Sequence, residues 1–144
     1  MAVQSRADAS WQGDLIGGSG SVRMASGSGG ELGLTWRARA ESRESGTSPE
    51  ELIAAAHSGC FAMALANGLA QAGTPAERLE TSAGVDFQAG AGGADITGIR
   101  LTVRGTVPGM DEATFKAAAE AAKSGCPVSK ALSAVPITLE ASLA

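Results

Sequence analysis

The stretch from Gly46 to Phe61 constrains the fold of this chain more than any other, because it opens a long apolar helix. Ser48 is a residue type that caps helix N-termini, and Pro49 suits the first helical position. Glu51, three residues after Ser48, completes a capping box. The apolar pattern then continues to a stop signal at Gly73. These signals predict one continuous helix between Ser48 and Gly73.

The predicted helix is apolar on nearly every side. Between Leu52 and Ala66 the polar interruptions are His57 and Ser58. A helix of this kind belongs inside a core or between subunits rather than on a surface. It also carries Cys60, one of only 2 cysteines in the chain, so the same segment draws attention for its chemistry.

Length, charge and cysteine content narrow the class of protein. A chain of 144 residues predicts a single domain over 1–144. The net charge of -4 and the lack of a Lys/Arg cluster argue against nucleic acid or an anionic membrane as partner. No stretch reaches 18 apolar residues and the N-terminus lacks an apolar leader, so we expect a cytoplasmic protein. In such a chain a cysteine pair indicates buried thiols or a redox couple, not a secreted disulfide scaffold.

Alternating and periodic patterns predict the remaining elements. The first 45 residues predict a three-stranded meander, and its third strand, 32–40, places Arg37 and Arg39 on one face. Asp111 caps a further helix, and a short helix begins after Cys126. The order is βββ-α-ββ-αα-β, an α+β domain. Its other strands and helices are predicted at 7–11, 21–25, 79–88, 95–107, 112–124 and 136–143.

The two cysteines and the single histidine allow several interpretations. In an apolar helix, Cys60 could be simply a small buried hydrophobe. Cys126 is expected at an accessible helix N-cap, where unpaired N–H groups favour a thiolate. His57 lies three residues before Cys60 on the same helix face, so a Cys/His nucleophile pair or a packed core histidine are both possible. One His and two Cys without ligand spacing predict no metal site.

Two motifs together resemble the OsmC/Ohr family of organic hydroperoxide reductases. They are Gly-Thr-Ser-Pro-Glu-Glu-Leu-Ile-Ala-Ala-Ala-His-Ser-Gly-Cys-Phe from Gly46 and Cys-Pro-Val-Ser-Lys from Cys126. The Ala-Ala-His before Ser-Gly-Cys and an arginine late in the N-terminal sheet favour the OsmC branch. The resemblance covers most of the chain. It implies an OsmC-like fold, with antiparallel sheets wrapped around long central helices in an intertwined homodimer.

The resemblance also implies a thiol-dependent peroxidase that reduces alkyl or fatty-acyl hydroperoxides to alcohols. Cys60 matches the cysteine that attacks the peroxide, and Cys126 matches the one that resolves the product. Attack on the O–O bond gives a sulfenic acid at Cys60, which condenses with Cys126 to a disulfide. An apolar pocket around Phe61 and Met63 would select organic hydroperoxides.

In the same resemblance Glu50 matches an acid that orients an arginine. Arg39 corresponds best to that arginine; Arg37 is an alternative, and Arg43, in the loop, is a weaker one. A thiol with a pKa of about 8.5 is mostly protonated at neutral pH, and burial raises its pKa further. A nearby guanidinium lowers the thiol pKa by favouring the thiolate. A carboxylate that accepts two hydrogen bonds from the guanidinium holds it in a fixed orientation.

The resemblance implies an external dithiol reductant, with a lipoylated protein as the expected donor, and we expect neither a bound cofactor nor a metal. Two other functions stay open from the residues alone. One is a non-enzymatic, stress-related binding domain whose buried thiols are inert. The other is a hydrolase that uses Cys60 and His57.

Helix geometry adds an expectation about assembly. Glu50 and Cys60 are ten residues apart in sequence, which is about 15 Å along a continuous helix. No glutamate side chain spans that distance, so we expect the two residues to meet across a subunit boundary unless the helix breaks near Ser58 and Gly59. A two-fold axis near Ala55 would pair antiparallel central helices in an obligate homodimer with composite active sites.

Overall fold

A computed structural model describes residues 1–42 and 46–144. The chain forms two compact units, Met1–Leu52 and Ile53–Ala144. Arg43, the weaker of the arginine candidates, lies outside the described residues. The expectation of a single domain over 1–144 stays a prediction.

The α+β class and the predicted order of elements are confirmed, with one additional short helix. In chain order the elements are β1 Ala7–Gln12, β2 Ser19–Met24, β3 Glu31–Leu34, α1 Trp36–Ala40, α2 Pro49–Gln71, β4 Arg78–Gly90, β5 Gly93–Thr106, α3 Glu112–Gly125, α4 Pro127–Ala131 and β6 Ile137–Leu143.

The first unit contains the predicted meander. β1 pairs antiparallel with β2, and β2 pairs antiparallel with β3, so the three strands follow one another across the sheet. Ala9 lies opposite Val22, and Val22 lies opposite Leu32. Gly/Ser-rich turns join these strands, as the sequence predicts.

The prediction of a third strand reaching residue 40 is wrong, because β3 ends at Leu34 and α1 follows. Thr35 caps α1: its Oγ1 accepts a hydrogen bond from the N–H of Ala38 at 3.0 Å. Arg37 and Arg39 therefore do not share the face of a strand. An N-cap threonine followed by alanines and arginines, which favour helix, outweighs a short polar/apolar alternation.

The start of α2 is fastened to the sheet of the first unit. The N–H of Thr47 donates to the carbonyl of Gly33 at 2.9 Å. Gly46 has φ +93, and a Cβ there would lie 2.5 Å from the oxygen of Gly33, so only glycine fits this approach. Ser48 Oγ accepts from the N–H of Glu51 at 3.1 Å, as predicted for the N-cap. The Glu51 carboxylate accepts from the Thr47 hydroxyl at 2.6 Å.

The end of α2 is also as predicted. Gly73 has φ +80, and its N–H donates to the carbonyl of Ala70 at 3.0 Å. The N–H of Thr74 donates to the carbonyl of Leu69 at 3.0 Å. This pair of bonds is a Schellman motif, which needs a residue with positive φ at the position of Gly73.

Only one stripe of α2 is buried within the chain. Much of the remaining surface is apolar and open, and the side chain of Met63 is 75% exposed. By length and composition alone α2 could cross a membrane, a property that core helices of soluble proteins share. The sequence predicts that this helix lies in a core or between subunits. Within the single chain only one side of α2 is buried. The buried residues of α2 are Glu50, His57, Phe61, Leu65 and Leu69.

The second unit holds the other sheet, in the order β4-β5-β6. β4 and β5 are antiparallel, but β5 and β6 are parallel, with Leu101 opposite Leu139. The expectation of antiparallel sheets is thus wrong for this pair. The connection through α3 and α4 is a helical crossover, which returns the chain in the same direction. The buried core is formed by Phe61, Leu65, Leu69, Leu101, Val103, Val107, Phe115, Ala119, Ala122 and Cys126.

Candidate active site

In the first unit, Arg39 on α1 and Glu50 at the start of α2 form an ion pair. Nη2 and Nε of Arg39 donate to Oε1 of Glu50 at 2.8 and 3.1 Å, and Nε also lies 3.3 Å from Oε2. The Glu50 side chain is 1% exposed, whereas 33% of the Arg39 side chain is exposed. Two contacts to one carboxylate fix the plane of the guanidinium and leave part of it facing outward.

Helix α1 explains why Arg39 meets Glu50 and Arg37 does not. Ala38 is buried, with Thr35 capping the turn that holds it. Arg37 is exposed, two residues before Arg39 on a helix of only 5 residues. Residues two apart on a helix point in different directions. Of Arg37 and Arg39, the structure pairs Arg39 with the carboxylate.

In the second unit, Cys60 on α2 and Cys126 before α4 lie together in the core, and both are free thiols. Cys60 is partly exposed, whereas Cys126 is fully buried. The expectation of an accessible Cys126 is therefore wrong. Its position at the N-cap of α4 is confirmed, but α3 ends at Gly125 and the turn directs the side chain inward, against the core.

The surroundings of Cys60 favour its thiol form. Burial raises the pKa of Cys60, and its polar contact with the sulfur of Cys126 raises it further. The N–H of Val128 acts in the opposite direction, without reversing the shift. A thiolate at Cys60 consequently needs a positive charge that these neighbours do not supply.

The surroundings of Cys126 have the opposite effect. Burial alone would raise the pKa of this thiol, but polar groups close to its sulfur outweigh burial and lower the pKa below its ordinary value. These neighbours are the N–H and the hydroxyl of Ser129, the Cys60 thiol and the N–H of Val128, although the Cys126 side chain makes no capping hydrogen bond. The surroundings of the two thiols therefore shift their pKa values in opposite directions.

His57 contacts Ser129 rather than a cysteine. Its Nε2 lies 2.7 Å from Oγ of Ser129, and both residues are buried. Nδ1 has no hydrogen-bond partner among residues 1–42 and 46–144. Burial lowers the pKa of His57, so the imidazole is neutral at neutral pH. Within those ranges the pairing with Cys60 that a Cys/His hydrolase needs is absent.

Within residues 1–42 and 46–144, Phe61 and Met63 do not share the expected apolar substrate pocket. Phe61 is fully buried in the core, and Met63 points away from the core to the exposed side of α2. A shallow groove of about 530 Å³ lies elsewhere in the second unit. It runs between α2 and α3, with Ala64, Gly68 and Ala118 in its walls.

Sequence reasoning missed the part that Ser129 plays in this cluster. The signal was present in the Cys-Pro-Val-Ser motif, since a residue three positions after an N-cap lies beside the capping side chain. The partner His57 could not be found in this way, because it is 72 positions distant in sequence.

Most of the sequence is similar to known proteins. Residues 42–140 match the family model described as OsmC-like protein. A protein of Escherichia coli (strain K12) named Peroxiredoxin OsmC is 41% identical over 140 residues, which cover 97% of this chain and 96% of that protein.

Solved structures share the fold. A crystal structure of an organic hydroperoxide resistance protein OsmC from Legionella pneumophila has a TM-score of 0.78 at 23% identity, covering 99% of this chain and 98% of that one. The organic hydroperoxide resistance protein OhrB of Bacillus subtilis has a TM-score of 0.72 at 23% identity, covering 96% and 98%. The family match and the Escherichia coli relative each span most of the sequence, and this chain belongs to the OsmC family.

Proposed function

We propose that this protein is a thiol-dependent peroxidase that reduces organic hydroperoxides to alcohols. The observation that carries the proposal is the contact between two free thiols, Cys60 and Cys126, in a chain of the OsmC family. The relative named Peroxiredoxin OsmC and the related organic hydroperoxide resistance proteins support both the reaction and the substrate class. The substrates would be alkyl or fatty-acyl hydroperoxides.

In the first step the Cys60 thiolate attacks the peroxide oxygen that becomes the sulfenic hydroxyl. The O–O bond breaks, and the alkoxide leaves with a proton as the alcohol. Cys60 is partly exposed, which suits the attacking thiol, whereas Cys126 has no exposed surface. Arg39, aimed by Glu50, would supply the positive charge that Cys60 needs and donors for the peroxide oxygens.

In the second step Cys126 attacks the sulfenic sulfur of Cys60, and a Cys60–Cys126 disulfide and water result. An external dithiol then reduces the disulfide by thiol exchange. We propose a lipoylated protein for this role, with no bound cofactor and no metal in the cycle. Because the cycle returns through free thiols, we propose that the protein works in the cytoplasm, where thiols are kept reduced.

We propose further that the working form is a homodimer with composite active sites. Helix α2 is continuous from Pro49 to Gln71, so Glu50 and Cys60 are separated by about 15 Å along its axis. The exposed apolar side of α2, including Met63, would be covered by the second copy. Sedimentation at dilute protein concentration tests this: the proposal expects a stable dimer, and a monomer contradicts it.

Mass spectrometry of the reduced protein after one equivalent of an organic hydroperoxide tests the reaction. The proposal expects the loss of two hydrogens, with Cys60 and Cys126 in one disulfide. An inert binding domain would keep its mass. A hydrolase would instead form an acyl adduct with an activated ester, and either outcome would overturn the peroxidase.

The reductant needs a separate measurement. We expect steady-state peroxide consumption to be much faster with a dihydrolipoyl donor than with thioredoxin at equal dithiol concentration. The reverse order would contradict the proposal of a lipoylated reductant and would leave the proposed peroxidase function unaffected.

A further inference from the structure

The proposed function leaves His57 and Ser129 without a task, although both are buried and in contact. Ser129 is 6% exposed and His57 is fully buried. Burying polar side chains is unfavourable unless they are paired, and here they pair with each other at 2.7 Å. The pair lies beside Cys126, because Ser129 is the third residue of α4 and Cys126 is its N-cap.

The tautomer of His57 follows from its surroundings. Nδ1 is buried and lacks a hydrogen-bond partner in the described part of the chain. Unpaired buried N–H groups are rarer than unpaired acceptors, so the proton is assigned to Nε2. Nε2–H then donates to Oγ of Ser129. The hydroxyl hydrogen of Ser129 remains available for the sulfur of Cys126.

We propose that His57 and Ser129 form a positioning pair that holds Cys126 ready to attack the oxidised sulfur of Cys60. The pair would set the rate of disulfide formation and not the rate of peroxide reduction. This inference rests on the proposed peroxidase function. His57, the histidine of the Ala-Ala-His motif, would thus act in disulfide formation and would not contact the peroxide.

The chemistry of the step balances without a further reactant. The Cys126 sulfur forms a bond with the Cys60 sulfur while the S–O bond of the sulfenic acid breaks. The departing hydroxide takes up the proton that Cys126 released, and water results. Ser129 donates to the Cys126 sulfur before attack and keeps its own proton; His57 orients Ser129. The polar contact of the Ser129 hydroxyl with the Cys126 sulfur is one of the causes that lower the pKa of Cys126.

Single-turnover measurements on the full-length protein separate the two steps. Reduced protein receives one equivalent of cumene hydroperoxide; peroxide loss reports the first step and disappearance of the sulfenic acid, trapped with a 1,3-diketone, reports the second. For Ser129→Ala we expect disulfide formation to slow by about tenfold or more, as for loss of a hydrogen bond to a charged group, with little change in peroxide loss. Ser129→Thr should restore the rate.

His57 offers a matched comparison. His57→Gln places an amide N–H where Nε2 stands and should keep disulfide formation fast, whereas His57→Asn places it near Nδ1 and should slow the step as Ser129→Ala does. Ser124→Ala is the control, because the Ser124 hydroxyl bonds within its own helix. It should leave both steps unchanged.

Three results would overturn the inference. In the first, Ser129→Ala and His57→Asn form the disulfide at the wild-type rate. In the second, both steps slow equally, which indicates a general structural role. In the third, His57→Gln and His57→Asn form the disulfide at the same rate. This comparison can be made even if Ser129→Ala does not fold. Wild-type protein that consumes no peroxide would instead overturn the proposed function, and this inference with it.

Discussion

The Arg39–Glu50 pair and the cluster of Cys60, Cys126, Ser129 and His57 are built in opposite ways. The first is an ion pair of residues 11 apart in sequence, with the cation partly exposed. The second brings together two thiols, a hydroxyl and an imidazole, and all of them except the Cys60 thiol are buried. Under the proposed function, the charge for the reaction would lie in one region and the sulfur chemistry in the other.

This difference separates two tasks. A partly exposed guanidinium can meet an incoming peroxide, but it needs a buried carboxylate to hold its direction. Buried thiols are protected from unwanted oxidants, but burial raises the pKa of Cys60. In the proposed reaction, each region would supply what the other lacks.

The largest expected effect is a difference in peroxidase activity between variants of the two cysteines. Cys60→Ser should abolish peroxide reduction, including the first turnover. Cys126→Ser should complete one turnover and retain Cys60 as a sulfenic acid, open to over-oxidation. Stoichiometric peroxide loss and trapping with a 1,3-diketone check both. A first turnover in the Cys60 variant and none in the Cys126 variant would reverse the roles.

The next effect concerns the charged region. Arg39→Lys keeps the charge but loses the two-point contact with Glu50, so peroxidase kcat/KM should fall by more than about tenfold. Arg37→Lys is the matched control on the same helix, with an exposed side chain, and should be nearly silent. A large loss at Arg37 with none at Arg39 would show that the wrong arginine is assigned.

A smaller effect concerns the stability of the buried cluster. Because burial lowers the pKa of folded His57, the unfolded chain binds its proton first as pH falls below about 6.5. As the pH is lowered from there to the pKa of folded His57, the free energy of unfolding should therefore decrease. The contribution of this histidine should be at most about 1.4 kcal/mol per pH unit. Urea unfolding at several pH values in this range measures the effect. The free energy of unfolding of His57→Gln should depend less steeply on pH than that of the wild type, and equal slopes would contradict the prediction.

The smallest effect tests what positions Arg39. Thr35→Val removes the acceptor for the N–H of Ala38 and should lower the free energy of unfolding by about 1 kcal/mol, with a modest loss of activity. Thr35→Ser keeps the cap and serves as the control. Unchanged stability in Thr35→Val, measured by urea unfolding, would mean that α1 does not depend on its cap.

Local signals explain what could be predicted from the sequence. The ends of α2 follow from Ser48 and Gly73, which act within a few residues of where they stand. The short helix α1 was missed because five residues can satisfy a strand pattern as well as a helix pattern.

Contacts between distant segments explain what could not be predicted. The parallel direction of β6 depends on where a two-helix crossover returns, and not on the strand's own residues. The inward direction of Cys126 and the contact of Ser129 with His57 depend on packing between elements far apart in sequence.

Mixing two inactive variants tests most directly whether the two regions act together across a subunit boundary. A Glu50→Ala chain and a Cys60→Ser chain are refolded together, and the heterodimer is purified through different tags. Cys60 of the first chain and the Arg39–Glu50 pair of the second would then form one intact site, so we predict recovered peroxidase activity. An inactive heterodimer from two inactive parents would show that Glu50 and Cys60 act within one chain, and would contradict the composite site.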